Sequence, residues 1–149
     1  MSDYFEQPDA AAKLRDEVAT WLGTPFVPFN NAKQVGVDCV QLAAQLMVAC
    51  GVIEGYDFGR YSLDFAAHTG RELITEWLGA NSRFVWLGKV TPQVGDVVVF
   101  SVGRAIGHVG VMVDGSDFVH SIQGRTVRVS QLDDSTWGTR VAGFWRARL

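Results

Sequence analysis

Three side chains that could act together in thiol chemistry come from separate parts of the sequence: Cys39, His108 and His120. A cysteine nucleophile needs a base that takes its proton, and the base needs a polar partner that orients it. Cys39 directly precedes an apolar run of helical spacing. We therefore expect it in the first turn of a helix, where unpaired N–H groups favour a thiolate. The sequence thus indicates a cysteine nucleophile, a histidine base and a second, orienting histidine.

Two other interpretations of these residues stay open at this point. An isolated cysteine is often a small buried apolar residue, and a histidine in a strand is often a packing residue. One cysteine and two histidines could also supply the three protein ligands of a catalytic zinc site. No Cys-x-x-Cys or His-Glu-x-x-His spacing occurs in the sequence to support zinc. We expect no metal and no cofactor.

The two histidines share one face of a sheet in only one of two possible strand registers. A two- or four-residue hairpin loop would place them on opposite faces. A three-residue loop over 114–116 pairs Val111 with Val119, sets the second histidine opposite Gly110 and brings both rings to one face. This register also gathers the apolar residues on the other face, as burial of that face requires; they are Val109, Val111, Val113 and Val119. We predict this register, with a glycine beside the two rings.

The elements that carry these residues follow from the periodicity of the apolar positions. Helical spacing predicts helices over 8–22, 39–50 and 71–78. Alternation predicts strands over 83–87, 96–100, 109–113, 118–122, 126–129 and 141–146. The loops between strands are short, so neighbouring strands must be antiparallel. The sequence predicts one α+β domain over residues 1–149, with N-terminal helices packed on a C-terminal antiparallel sheet, largely a meander.

Three further residues receive simpler assignments. Asp38 is expected to cap the helix that begins at Cys39. Cys50 lies in the same helix, about 16 Å from Cys39 at about 1.5 Å per residue, which exceeds the limit of about 7 Å between Cα atoms for a disulfide. Both cysteines are therefore expected as free thiols. His68 has no chemical partner near it in the sequence and is expected on the surface.

Composition excludes several classes of protein. The 149 residues include 13 basic and 16 acidic side chains, a net charge of −3, with no run of Lys and Arg. Nucleic acid is therefore not an expected partner. The apolar stretches, such as 97–100, are far shorter than the roughly 20 residues that span a bilayer. The N-terminus lacks the basic and apolar regions of a signal peptide. We expect synthesis in the cytoplasm, no export by a signal peptide and no membrane insertion.

Five short blocks of the sequence follow one another as in a known family. The blocks are Trp21-Leu22-Gly23-Thr24-Pro25-Phe26, Gly36-Val37-Asp38-Cys39-Val40-Gln41-Leu42, Gly95-Asp96-Val97-Val98-Val99-Phe100, His108-Val109-Gly110-Val111 and Phe118-Val119-His120-Ser121. In this order they resemble the NlpC/P60 superfamily of papain-like cysteine peptidases of bacterial cell walls. The first two blocks and the ending over 141–146 look most like a small branch encoded by phages and prophages.

The resemblance implies a papain-like fold and a role for each of the three residues. By resemblance Cys39 is the nucleophile, His108 the general base and His120 the residue that orients it. The implied reaction is hydrolysis of an amide in peptidoglycan stem peptides, typically between D-glutamate and a diamino acid, through an acyl-thioester. The implied partners are the peptidoglycan peptide and phage-tail proteins, with the protein associated with phage particles.

The sequence departs from the family pattern beside the nucleophile. Phe26 stands where many members carry a tyrosine whose hydroxyl lines the site. Val40 and Gln41 follow Cys39 where Ser and Gly are frequent, so we expect Gln41 to narrow the cleft or to contact substrate. The expected substrate-binding residues are Phe26, Asp38, Gln41 and Gly110. These departures leave two alternatives: a non-catalytic tail or wall-binding module, and an amidase or acyl-transferring enzyme with a non-wall substrate.

Overall fold

The structure is a computed structural model that describes residues 2–62 and 72–149. Three α-helices lie in these ranges: α1 (Ala10–Trp21), α2 (Cys39–Ala49) and α3 (Leu73–Ala80). The strands are β1 (Asn31–Ala32), β2 (Gly36–Val37), β3 (Phe84–Gly88), β4 (Val97–Val102), β5 (Ala105–Met112), β6 (Asp117–His120), β7 (Arg128–Gln131) and β8 (Val141–Ala147). His68, expected on the surface, lies outside the described residues.

The helices begin and end close to the predicted positions, and local chemistry explains the differences. Helix α1 begins at Ala10 rather than at residue 8 because Asp9 has a left-handed φ of 68°. Helix α2 begins at Cys39, directly after its cap Asp38, whose side chain accepts a hydrogen bond from the Gln41 N–H. Nearly all of α2 is buried. Each large apolar side chain so removed from water contributes about 1.5–3 kcal/mol, so α2 is the central helix of the core.

Six strands form one antiparallel sheet in the order β3-β8-β4-β5-β6-β7. Strands β4 to β7 are a meander, as predicted. The last strand, β8, returns to lie between β3 and β4, which the spacing of turns does not reveal. Strands β1 and β2 form a separate two-stranded ribbon just before α2. The predicted α+β fold is confirmed.

The two faces of the six-stranded sheet carry different residues. The face under the helices, here called the helix face, presents Val97, Val99, Val109, Val111 and Val119. The other face, here called the aromatic face, carries Val98, Phe100, Met112, Phe118 and Phe144, with Trp137 packed against them. None of the helices in the described residues combines the length and apolar character needed to cross a membrane.

Candidate active site

The two histidines lie on the same face of the β5–β6 hairpin. Strand β5 pairs with β6 through Val111 opposite Val119, which confirms the predicted register. On the aromatic face, Nε2 of His108 lies 2.8 Å from Nδ1 of His120. The rings, predicted to be diagonal neighbours, are therefore in direct hydrogen-bond contact.

The absence of a side chain at Gly110 makes room for the ring of Phe118. A Cβ atom at this position would lie 2.8 Å from the Phe118 ring and 3.0 Å from the carbonyl oxygen of Val119. The missing side chain thus makes room for Phe118, which fills the space between the strands. The predicted register sets Gly110 opposite His120, and the ring nearest to the space that a side chain would take there is that of Phe118.

The hydrogen-bond chain continues beyond the two histidines to a serine of β7. Nε2 of His120 lies 2.8 Å from Oγ of Ser130. If His108 donates from Nε2 to Nδ1 of His120, then His120 must donate from Nε2 to Ser130. These tautomers leave Nδ1 of His108 without a proton and ready to accept one. Ser130 was not identified from the sequence; it lies opposite Phe118 and diagonal to His120 across the β6–β7 ladder.

Aromatic rings enclose both imidazoles and keep them neutral. Trp137 stacks on His108 at 4.8 Å between ring centroids, and Phe118 lies 4.5 Å from His120. Burial, aided by the charge of Arg140, lowers the pKa of His108 to about 4. Burial and His108 lower the pKa of His120 to about 3. A positive charge is costly among these rings, so both histidines are neutral at pH 7.

Cys39 lies where the β5–β6 ladder ends. In the described structure, the β5–β6 ladder consists of two residue pairs, Val111–Val119 and Met112–Phe118. On β5, the N–H of Val109 lies close enough to Cys39 to favour its thiolate, as do the N–H groups of Val40 and of Cys39 itself. The start of α2 and the strand that carries His108 thus both lie close to the Cys39 sulfur.

Burial disfavours ionisation of the Cys39 thiol in this structure. Burial, with the neighbouring Asp38 carboxylate adding to it, raises the pKa of the thiol to about 12 and outweighs the three N–H donors. Within the described residues, no hydrogen bond joins the sulfur to His108 or His120. The N–H groups at the helix start favour a thiolate, as predicted, but burial of the sulfur disfavours it in this state.

Asp38 confirms its predicted role as a cap and also anchors two other segments. Its buried carboxylate accepts hydrogen bonds from the N–H of Gln41 at 2.9 Å, the N–H of Phe29 at 2.8 Å and the hydroxyl of Tyr61 at 2.6 Å. Three donors around one carboxylate compensate for its removal from water. Asp38, the residue before Cys39, is thus held in place by three hydrogen-bond donors.

Gln41 has both ends of its side chain engaged within the protein. Its Nε2 donates to the Tyr61 hydroxyl at 3.1 Å, and its Oε1 accepts from the Tyr56 hydroxyl at 2.6 Å. Only 8% of the residue is exposed. Gln41 therefore draws two tyrosines of the following segment towards the start of α2, and neither tyrosine was identified from the sequence.

The remaining predicted residues lie close to the site or at the far end of α2. The Phe26 backbone forms a bridge with Val37, two residues before the nucleophile. Cys50 follows the end of α2 and, like Cys39, is a free buried thiol, as predicted. Among the described residues, no group of three or more His, Cys, Asp or Glu side chains is placed to hold a metal ion. The zinc alternative gains no support from that part of the chain.

Solved structures share the fold at low sequence identity. An NLP/P60 family protein of Staphylococcus aureus aligns with a TM-score of 0.65 and 17% identity over 96% of this chain and 43% of that one. RipB, a peptidoglycan hydrolase of Mycobacterium tuberculosis, gives 0.61 and 16% over 97% and 69% of the two chains. The NlpC/p60 domain of the peptidoglycan hydrolase SagA gives 0.58 and 17% over 93% and 98%.

These likenesses show a shared fold, and this chain spans less than half the length of the S. aureus protein. A comparison with curated protein sequences finds no match. The model of the NlpC/P60 family matches residues 23–146. That range includes Cys39, both histidines and Ser130. Because the match covers most of the sequence, the chain belongs to the NlpC/P60 family.

Proposed function

We propose that this protein is a cysteine peptidase that hydrolyses an amide in peptidoglycan stem peptides, between D-glutamate and a diamino acid. One observation carries the proposal: Nε2 of His108 lies 2.8 Å from Nδ1 of His120, and His108 is on the same strand as Val109, whose N–H lies close to the Cys39 sulfur. Family membership and the naming of RipB and SagA as peptidoglycan hydrolases support the wall as substrate. The bond and the catalytic steps are part of the proposal.

The first half of the reaction forms an acyl-enzyme. The Cys39 sulfur attacks the amide carbon while its proton passes to Nδ1 of His108, and the carbonyl becomes a tetrahedral oxyanion. The N–H groups at the start of α2 stabilise this negative charge. Collapse of the intermediate breaks the C–N bond, and the proton held by His108 goes to the leaving amine. A thioester on Cys39 remains.

The second half releases the acid. Water gives a proton to His108 and attacks the thioester carbon, and the proton then returns to the Cys39 sulfur as the C–S bond breaks. His120 orients His108 throughout and accepts from its Nε2–H when the ring is charged. Because the resting thiol and ring are both neutral, His108 acts as a general base during attack, and no standing ion pair is required.

Digestion of purified peptidoglycan tests this function. We expect wild-type protein to release peptide fragments with new D-glutamyl termini, identified by mass spectrometry, and Cys39→Ala to release none. Cys50→Ala is the matched control, since it removes the same side chain from the other end of the same helix and should digest like wild type. The full activity of Cys39→Ala, or equal loss in both variants, would contradict the assignment.

The same experiment separates the two alternatives. A wall-binding module would sediment with peptidoglycan yet release nothing in any variant. An enzyme with a non-wall substrate would hydrolyse small amide substrates through Cys39 and leave peptidoglycan intact. Association with phage-tail proteins and synthesis in the cytoplasm stay predictions from the sequence.

A further inference from the structure

We propose that Tyr61 is a positioning residue of this active site, holding the Asp38 carboxylate behind Cys39 through its hydroxyl. The inference rests on the proposed function, because it assigns a residue to the same site. Tyr61 lies 22 positions after Cys39 in the sequence, outside the five blocks that carry the family resemblance.

Among the described residues, the hydroxyl of Tyr61 has two polar partners, one directly before Cys39 and one two positions after it. It donates to Oδ2 of Asp38 at 2.6 Å and accepts from Nε2 of Gln41 at 3.1 Å. Its ring packs edge-on against Phe29 at 4.8 Å between centroids. The hydroxyl therefore ties its segment to the residue before Cys39 and to the residue two positions after it.

The geometry assigns positioning rather than catalysis to this hydroxyl. A phenol has one proton, and Tyr61 donates it to a buried carboxylate. It has none left for an oxyanion or a leaving group. A short hydrogen bond to an ionised acceptor is also among the stronger polar contacts in a protein. Tyr61 therefore acts on the reaction through Asp38.

The effect on Cys39 follows from the position of the carboxylate. The negative charge of Asp38 directly precedes the sulfur and disfavours a thiolate there. Donors to the carboxylate draw its charge away from the sulfur and keep its orientation fixed. Without the Tyr61 hydroxyl, Oδ2 keeps one donor, the N–H of Phe29. Ionisation of Cys39 then becomes harder, and the first turn of α2 is held less firmly.

The alkylation rate of Cys39 tests this inference without any peptidoglycan. Every variant carries Cys50→Ala, so that the labelling reports on Cys39 alone. Tryptic peptides could not separate the two cysteines, because no Lys or Arg lies between Lys33 and Arg60 and both would fall in one peptide. At fixed pH between 8 and 10, we expect Tyr61→Phe to lower the rate of iodoacetamide labelling about threefold, because a rise of about one unit in the pKa of the thiol is partly offset by the greater nucleophilicity of its thiolate. Tyr56→Phe is the matched control and should change it less than about twofold.

A double-mutant cycle separates the electrostatic role from general loosening of the fold. Asp38→Asn removes the charge but keeps an oxygen to cap α2, so we expect faster labelling. In that background Tyr61→Phe should have little further effect. If Tyr61→Phe slows labelling equally in both backgrounds, or if Tyr56→Phe slows it as much, the inference is overturned. Asp38→Asn also tests it alone, should Tyr61→Phe fail to fold.

Turnover of peptidoglycan fragments gives a second readout. Because the proton of the Tyr61 hydroxyl is donated to Asp38, we expect Tyr61→Phe to lower kcat roughly tenfold and to leave KM nearly unchanged. A raised KM with normal kcat would overturn the positioning role in favour of substrate contact. If wild type digests nothing, the proposed function fails while the labelling cycle still decides the role of Tyr61.

Discussion

Helix α2 carries a cysteine at each end, and the two thiols have similar burial but different neighbours. Cys39 is 7% exposed and Cys50 is 5% exposed. Burial raises the pKa of both thiols, to about 12 for Cys39 and to about 11 for Cys50. Cys39 lies beside the strand of His108 and the Asp38 carboxylate. Cys50 has the charges of Lys13 and Glu17 nearby instead.

Burial raises the pKa of both thiols by similar amounts, so acidity does not distinguish Cys39 from Cys50 in this structure. Cys39 lies beside the strand that carries His108, and a second ring and a serine are hydrogen-bonded in turn behind that histidine. Under the proposed function His108 removes the proton of Cys39 during attack, and each prediction below tests that difference between the two ends of α2.

Replacement of the base should have the largest effect. In His108→Gln, the Cys39 end of the helix loses its proton acceptor and resembles the Cys50 end. We expect kcat/KM on peptidoglycan fragments to fall about 10³-fold, within the range for loss of general acid–base catalysis. Circular dichroism should show an unchanged fold. Activity within tenfold of wild type would mean that His108 is not the base.

Acid pH should destabilise the protein through the same ring. Burial lowers the pKa of His108 in the folded protein to about 4, below its usual value of 6.5, so between these values the unfolded chain binds more protons. Stability is then fully present above pH 6.5 and falls as the pH drops towards 4. A shift of about 2.5 units corresponds to about 3 kcal/mol. The lowered pKa of His120 causes a further loss of stability in the same direction, and this loss continues to lower pH.

Urea unfolding at pH 7, 6, 5 and 4 measures this effect, with His108→Gln as the control. The variant lacks one titrating ring, so its stability should fall by about 3 kcal/mol less than that of wild type over this range. Parallel curves for the two proteins would show that His108 is not held neutral by burial.

The histidine pair was predictable because it depends on a short-range pattern. Val111 and Val119 share a buried face in one register only, and the same register brings the rings together. The cap Asp38 likewise precedes its helix in the sequence. Ser130 could have been found only by extending the pairing to β7, where it falls diagonal to His120.

The properties missed from the sequence depend on distant segments. Trp137 lies between β7 and β8 and stacks on His108 only after the sheet has formed. Tyr61 reaches Asp38 from the segment after α2. The burial that disfavours the predicted thiolate also depends on distant segments. The helix start and the nearby histidine are visible in the sequence, whereas the burial that outweighs them is a property of the assembled fold.

Replacement of Ser130, which ends the hydrogen-bond chain that starts at His108, should have a smaller effect. Ser130→Ala deletes the partner of His120 Nε2, so His120 can adopt the tautomer that no longer accepts from His108. We expect kcat to fall roughly tenfold, as for loss of one hydrogen bond to an orienting group. Ser130→Thr keeps the hydroxyl and should retain activity. Equal losses in both variants would indicate a packing role for this position.

The smallest expected effect is the difference in labelling between the two thiols. Burial raises the pKa of both thiols by similar amounts, so neither is expected to hold much more thiolate than the other at pH 8. Since their exposures are alike, we expect Cys39 in Cys50→Ala and Cys50 in Cys39→Ala to react with iodoacetamide at rates within about tenfold of each other. Labelling of Cys39 more than tenfold faster at pH 6 would instead show a standing thiolate–imidazolium pair. General-base attack by His108 would then give way to a preformed ion pair at this end of α2.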